Sequence, residues 1–103
     1  MLRKMYATVR RYEGVQDPAN AAKQVDEKFV PFISSLQGFI EYFWMDLGKG
    51  AMMSITVFKT LSDAINANDE ARVWVKQHLS TVLPHPIRVE AGPIVAHYAS
   101  PKR

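Results

Sequence analysis

Cysteine is missing from the sequence, which excludes disulfide bonds, iron-sulfur clusters and zinc sites built on thiolates. Long apolar runs are missing too: no segment approaches the ~18 consecutive apolar residues of a membrane span, and MLRKMYATVRR lacks the unbroken apolar stretch of a secretory leader. There is no glycine-rich phosphate loop, nucleophile elbow or HExxH pair. The histidines, His78, His85 and His97, follow no metal-ligand spacing, so no metal site is expected. A soluble cytoplasmic protein without membrane contact is the resulting expectation. The formal charge of +3 gathers at the tips, in Arg3, Lys4, Arg10 and Arg11 at one end and Lys102 and Arg103 at the other. That is not a basic stripe interleaved with aromatics, so no nucleic-acid partner is expected.

What is present describes an ordinary globular domain. The 103 residues, 48% hydrophobic and 22% charged, are enough for one core, and residues 1–103 are read as a single domain. Met5 to Tyr12 alternates like a strand and stops at Gly14. Asp17 and Pro18 mark a helix start, since Asp can accept an orphan amide hydrogen and Pro fits the first helical position. Ala22, Val25, Phe29, Phe32 and Ile33 continue near helical spacing, with Pro31 expected to end or kink the helix near Phe29 or Val30 and SSLQG left as the connection.

GFIEYFWMD, Gly38 to Asp46, predicts a second strand, and LGKG a tight turn whose glycines take positive φ. Met52 to Phe58 completes a hairpin. Ser62 or Asp63 is expected to cap a second helix carrying Ala64, Ala67, Ala71, Trp74 and His78 on one stripe, with LPHP stopping it at Pro84. The last run, IRVEAGPIVAHY, holds Gly92 and Pro93 and reads as a bulged or edge strand. The order β-α-β-β-α-β with right-handed crossovers predicts an α+β, ferredoxin-like domain: a four-stranded antiparallel sheet with two helices on one face.

Such a sheet leaves its other face open, yet both parities of GFIEYFWMD are apolar. Met5, Ala7, Val9, Met53, Ile55, Val57, Ile87, Val89 and Ala91 form an aliphatic set expected to meet the helices. Tyr6, Thr8, Arg10, Ser54, Thr56, Phe58 and Val95 would lie on the open side, with one of the two aromatic sets of the second strand. Exposed aromatic rings forgo roughly 2 to 3 kcal/mol each. A second copy of the chain, packed open face to open face about a two-fold axis, recovers that. A pairing of Arg10 with Glu41 across the sheet is a further expectation, because a buried charge needs a partner.

The segments MYATVRRYEG, LQGFIEYFWMD, SITVFKTLSDAINANDEARVWVKQHL and EAGPIVAHY resemble the dimeric alpha-beta barrel superfamily, and within it the antibiotic biosynthesis monooxygenase-like domains. The resemblance implies that ferredoxin-like units pair into a dimeric alpha-beta barrel. It also implies a cofactor-independent oxygenation of a small aromatic or polyketide-like compound held between helices and sheet by a few polar tips. The candidate ligand-binding residues are Tyr42, Trp44, Asn66, Trp74, His78 and His97, with Asn68 as an alternative to Asn66. Trp74 and His78, four apart, are expected to stack on the helix face turned toward the sheet, although a core role for Trp74 and a helix-end role for His78 account for them better than ligand contact does. None of these residues carries a catalytic signature, and the same scaffold suits a non-enzymatic small-molecule-binding or regulatory module. RNA recognition is disfavoured, because MMSITVFK has Ser54 and Thr56 where stacking rings are wanted.

Overall fold

The computed structural model describes residues 4–101, so Arg3, Lys102 and Arg103 of the basic tips lie outside the described residues. Strand β1 (Tyr6–Tyr12) is followed by α1 (Pro18–Gln24), a π-helical segment (Val25–Phe29) and α2 (Val30–Ser34). Then come β2 (Phe39–Gly48), β3 (Ala51–Phe58), α3 (Leu61–His78) and β4 (Arg88–Pro93). The sheet is antiparallel, in the order β2-β3-β1-β4. This is the expected ferredoxin-like arrangement.

Asp17 caps α1 as expected, its Oδ1 accepting the Asn20 N–H at 3.1 Å, with Pro18 in the first turn. Pro31 does not end the helix. The rod runs on to Ser34 because one turn widens just before the proline, where the Val30 N–H reaches back to the Val25 carbonyl. A proline lacks the N–H for an ordinary helical bond and its ring crowds the carbonyl four residues back; the π turn relieves both. Helix α3 likewise starts earlier than Ser62 or Asp63 suggested. Thr60, in extended conformation, accepts the Asp63 N–H on its Oγ1 at 3.0 Å. The helix also ends sooner, at His78 rather than Pro84, and the Leu79 carbonyl then accepts from the Val82 and Leu83 amides.

The β2–β3 hairpin closes through Lys49 and Gly50, both at positive φ (56° and 80°), as a two-residue turn matched to strand twist requires. Gly38, at φ 80°, has a second reason to be glycine: a Cβ there would overlap the Asp63 carboxylate at the start of α3. Strand β4 is an edge strand, paired with β1. It stops at Pro93, where the ladder loses its donor, and after a last bond from the Ile94 N–H to the Met5 carbonyl (2.8 Å) the chain leaves the sheet.

For β1 and β3 the two faces are the reverse of the expectation. Thr8, Arg10 and Tyr12 stand opposite Thr56, Ser54 and Met52, and this polar and aromatic parity is the one beneath the helices, in a core with Val25, Phe29, Ile33, Ala64, Ala67, Ala71 and Val75. Val89 and Ala91, opposite Arg10 and Thr8, belong to that side. Ala7, Val9, Met53, Ile55 and Val57 form the face turned away. The physical reason lies on α3, whose buried stripe is mostly alanine. Small side chains bring the helix close and leave depth that Arg10 and the sheet aromatics fill.

Strand β2 solves its double apolar pattern with a bulge. Phe39 stands opposite Phe58 on the helix side, the register slips at Ile40, and Tyr42 and Trp44 then stand opposite Thr56 and Ser54, again on the helix side. Glu41, Phe43 and Met45 point to the open face beside Val57, Ile55 and Met53. Arg10 and Glu41 therefore sit on opposite faces of the sheet and do not pair.

Candidate functional site

Polar side chains concentrate where α3 crosses the sheet. Strand β1 contributes Thr8 and Arg10, β3 contributes Ser54 and Thr56, and α3 contributes Asn68, one position beyond the alanine stripe. Between them lies a gap of about 10 Å³, closed by Phe29, Ile33, Phe58, Ala67 and Ala71. Arg10 is only 6% exposed. Its Nη1 donates to Asn68 Oδ1 at 2.8 Å and its Nε to the Tyr12 hydroxyl at 3.2 Å. No carboxylate pairs with it among the described residues. Thr8 Oγ1 and Trp44 Nε1 are buried without a hydrogen-bond partner among the described residues.

Tyr42 joins this layer from β2. Burial pushes its phenol well above its ordinary value of 10.0, and nearby Tyr12 adds to the shift; a hydrogen bond with Ser54 and the Arg10 cation work the other way without cancelling it. The phenol is held in its neutral form. Tyr42 also packs on Phe29 (centroids 5.5 Å apart), and Trp44 on Tyr12 at 5.5 Å. Two of the sequence candidates thus lie in the helix–sheet layer beside Arg10.

The other candidates lie elsewhere. Trp74 does not face the sheet: it stacks flat on Phe32 (5.2 Å, 14°) and edge-on to Phe29, joining α3 to α2. His78 is exposed and continues that stack, 4.5 Å from Trp74, with its Nδ1 2.9 Å from the Trp74 carbonyl oxygen. Trp74 and Phe32 line an open outer groove rather than facing the sheet. Asn66 is exposed and lines a shallow hollow with Gln37 and Asp63, while its neighbour Asn68 enters the polar layer. His97 is exposed in the segment after β4, not on a strand. Among the described residues no group of three or more His, Cys, Asp or Glu converges as a metal site would need, and no helix is long and apolar enough to cross a membrane.

A wider opening adjoins Arg10. A cleft of about 410 Å³ lies between the C-terminal half of α3 and the loop before β4, lined by Arg10, Arg72, Lys76 and His85 together with Val75, Leu83, Pro84 and Pro86. Arg10 borders both this cleft and the inner gap. The sequence held a clue to this arrangement: three alanines spaced along α3 leave room beneath that helix for long side chains, so the parity with arginine, tyrosine and tryptophan belongs under it.

No protein-family model matches the sequence, and neither does any curated protein. Solved structures do match. A protein of unknown function from Nitrosomonas europaea superposes with a TM-score of 0.70 at 14% identity, over 95% of this chain and 96% of its own. A candidate antibiotic biosynthesis monooxygenase from the same organism superposes with a TM-score of 0.67 at 12% identity, over 95% of each chain. A point mutant of SnoaB, a cofactor-independent oxygenase from Streptomyces nogalater, superposes with a TM-score of 0.62 at 16% identity, over 98% of this chain and all of its own. Near-complete coverage in both directions, with the strand order and helix placement described above, gives this chain the ferredoxin-like fold of the antibiotic biosynthesis monooxygenase-like structures.

Proposed function

We propose that the protein is a cofactor-independent, monooxygenase-like protein acting on a small aromatic or polyketide-like compound, bound between α3 and the sheet. The observation that carries this reading is the buried polar layer of Arg10, Asn68, Thr8, Tyr42 and Ser54, set among aromatic rings, with Arg10 shared between it and the 410 Å³ cleft. A few fixed polar groups in an apolar surround are what orients a small ligand. An electron-rich ring held there can react with oxygen directly, so neither metal nor flavin is required of the protein. Tyr42 and Trp44 are the candidates in this layer, backing it from β2 rather than lining the gap or the cleft; Trp74 packs α3 on α2 and lines the outer groove, and His78 stacks on Trp74. No residue is assigned a catalytic role.

A homodimer through the open sheet face belongs to the same proposal. Phe43, 45% exposed, lies beside Ile55, with Val9, Met45 and Met53 on the same face, and an isologous pairing hides them all. A second reading, a non-enzymatic module that binds a small molecule, is favoured by one observation: among the described residues, no carboxylate or histidine lines the inner polar layer to take a proton. Oxygen uptake by the purified protein with a panel of hydroquinones and hydroxyanthracenes tests the choice. Turnover that falls at least about tenfold in Asn68→Ala, with Trp74→Ala and His78→Ala changed far less, supports the oxygenase and its location. Ligand binding without oxygen uptake across the panel moves the protein to the binding-module class.

A further inference from the structure

We infer that the ligand of this site is an anion, an aromatic carboxylate whose carboxyl group pairs with Arg10 at the floor of the cleft and whose ring lies against Val75, Leu83 and Pro84. The inference rests on the helix–sheet location proposed above and adds the charge of the ligand. Arginine cannot shed its proton in a protein, so its burial keeps a full positive charge in the interior. Its two side-chain partners, Asn68 and Tyr12, are neutral, and the Nη2 group takes part in neither bond. Burying a charge against neutral dipoles alone is unfavourable, and a carboxylate oxygen is the partner that offsets it best.

The cleft that leads to Arg10 is biased the same way. Arg72, Lys76 and His85 stand on its walls and, among the described residues, no aspartate or glutamate does. Two cations at the mouth, Arg72 and Lys76, with a third at its floor draw in anions and repel cations. The remaining walls are largely aliphatic and prolyl, suited to a flat ring. At about 410 Å³ the cleft lies within the range of sites that enclose small organic ligands. Thr8, 4% exposed and with an unpartnered Oγ1, lines the gap on the far side of Arg10 and offers a further hydrogen bond to a group that reaches past the guanidinium.

Titration calorimetry with 2-naphthoate, 2-naphthamide and 2-naphthylmethanol tests the inference on the intact chain. The acid is expected to bind about 30-fold or more tightly than either neutral probe, and to lose a comparable factor in Arg10→Met. Should Arg10→Met fail to fold, the Arg72→Gln/Lys76→Gln double variant, which changes two exposed wall residues, is expected to weaken the acid several-fold and leave the amide unchanged. Equal affinities for acid and amide overturn the inference, as does full acid affinity in a folded Arg10→Met. The two proposals fail separately. Oxidation of neutral hydroquinones with no preference for acids leaves the oxygenase reading and removes the anion; Arg10-dependent acid binding without oxygen uptake does the opposite.

Discussion

Replacing Thr8 by valine should stabilise the protein. Thr8 is 4% exposed, and its Oγ1 has lost water without gaining a partner. A buried, unsatisfied hydroxyl costs about 1 to 3 kcal/mol, whereas valine has nearly the same shape, suits a strand equally well and carries no polar atom to desolvate. In a domain of this size 1 kcal/mol moves the melting temperature by roughly 4 to 8 °C, so thermal unfolding followed by circular dichroism should show a rise of at least about 4 °C. Ser54→Ala is the internal control at similar depth on the next strand. It removes a buried hydroxyl beside the Tyr42 phenol and should leave stability unchanged or lower, where Thr8→Val raises it. A melting temperature for Thr8→Val that is unchanged or lower refutes the reasoning. It would mean that the hydroxyl is already satisfied, as by an ordered water in the neighbouring gap, whose 10 Å³ lies at the lower limit for one. If Thr8 serves the ligand, the stabilised variant should also bind it more weakly, which is how a functional site comes to hold a destabilising group.

Gly38→Ala should lose more stability in denaturant titration than Gly48→Ala. Both substitutions cost about 1 to 2 kcal/mol for positive φ, but only at position 38 does the new Cβ meet another side chain, that of Asp63; equal losses would show that Asp63 swings aside freely. Phe43→Glu, which places a charge on the open face, should raise the dimer dissociation constant at least about tenfold in analytical ultracentrifugation, and a dimer that survives unchanged must use another surface. Tyr42 gives the fold a sensitivity to alkali. Its pKa is raised on folding, so its contribution is fully present below pH 10 and is lost as the unfolded chain deprotonates above that value. Wild-type stability should therefore fall more steeply above pH 10 than that of Tyr42→Phe, and parallel curves for the two proteins would show that the phenol is not held neutral.

Local chemistry made much of this fold legible in the sequence. Asp17 and Pro18 set the start of α1, the glycines of LGKG set the hairpin turn, and Pro93 kept β4 on the edge, because each acts on backbone groups within a few residues of itself. The alternation of the strands established that there were two faces, and the near-helical spacing of Ala64, Ala67 and Ala71 marked the buried side of α3. Tyr42 and Trp44 were legible as site candidates because aromatic rings with polar tips stand out in a strand.

Which face met the helices was decided only by the tertiary structure. Hydrophobicity could not rank an aliphatic parity against one carrying Arg10, Tyr12 and Tyr42, since the choice turned on the depth left beneath an alanine-lined helix and on a bulge at Ile40 that shifts the register within one strand. The pairing of Arg10 with Asn68 joins residues 58 positions apart, and the departure of Trp74 from the sheet depends on Phe32 of a different helix. The sequence determined its turns, caps and periods because those bonds are local. The site was left to the packing, because a buried cation and its neighbours are assembled from β1, β3 and α3 only when the sheet and the helix close on each other.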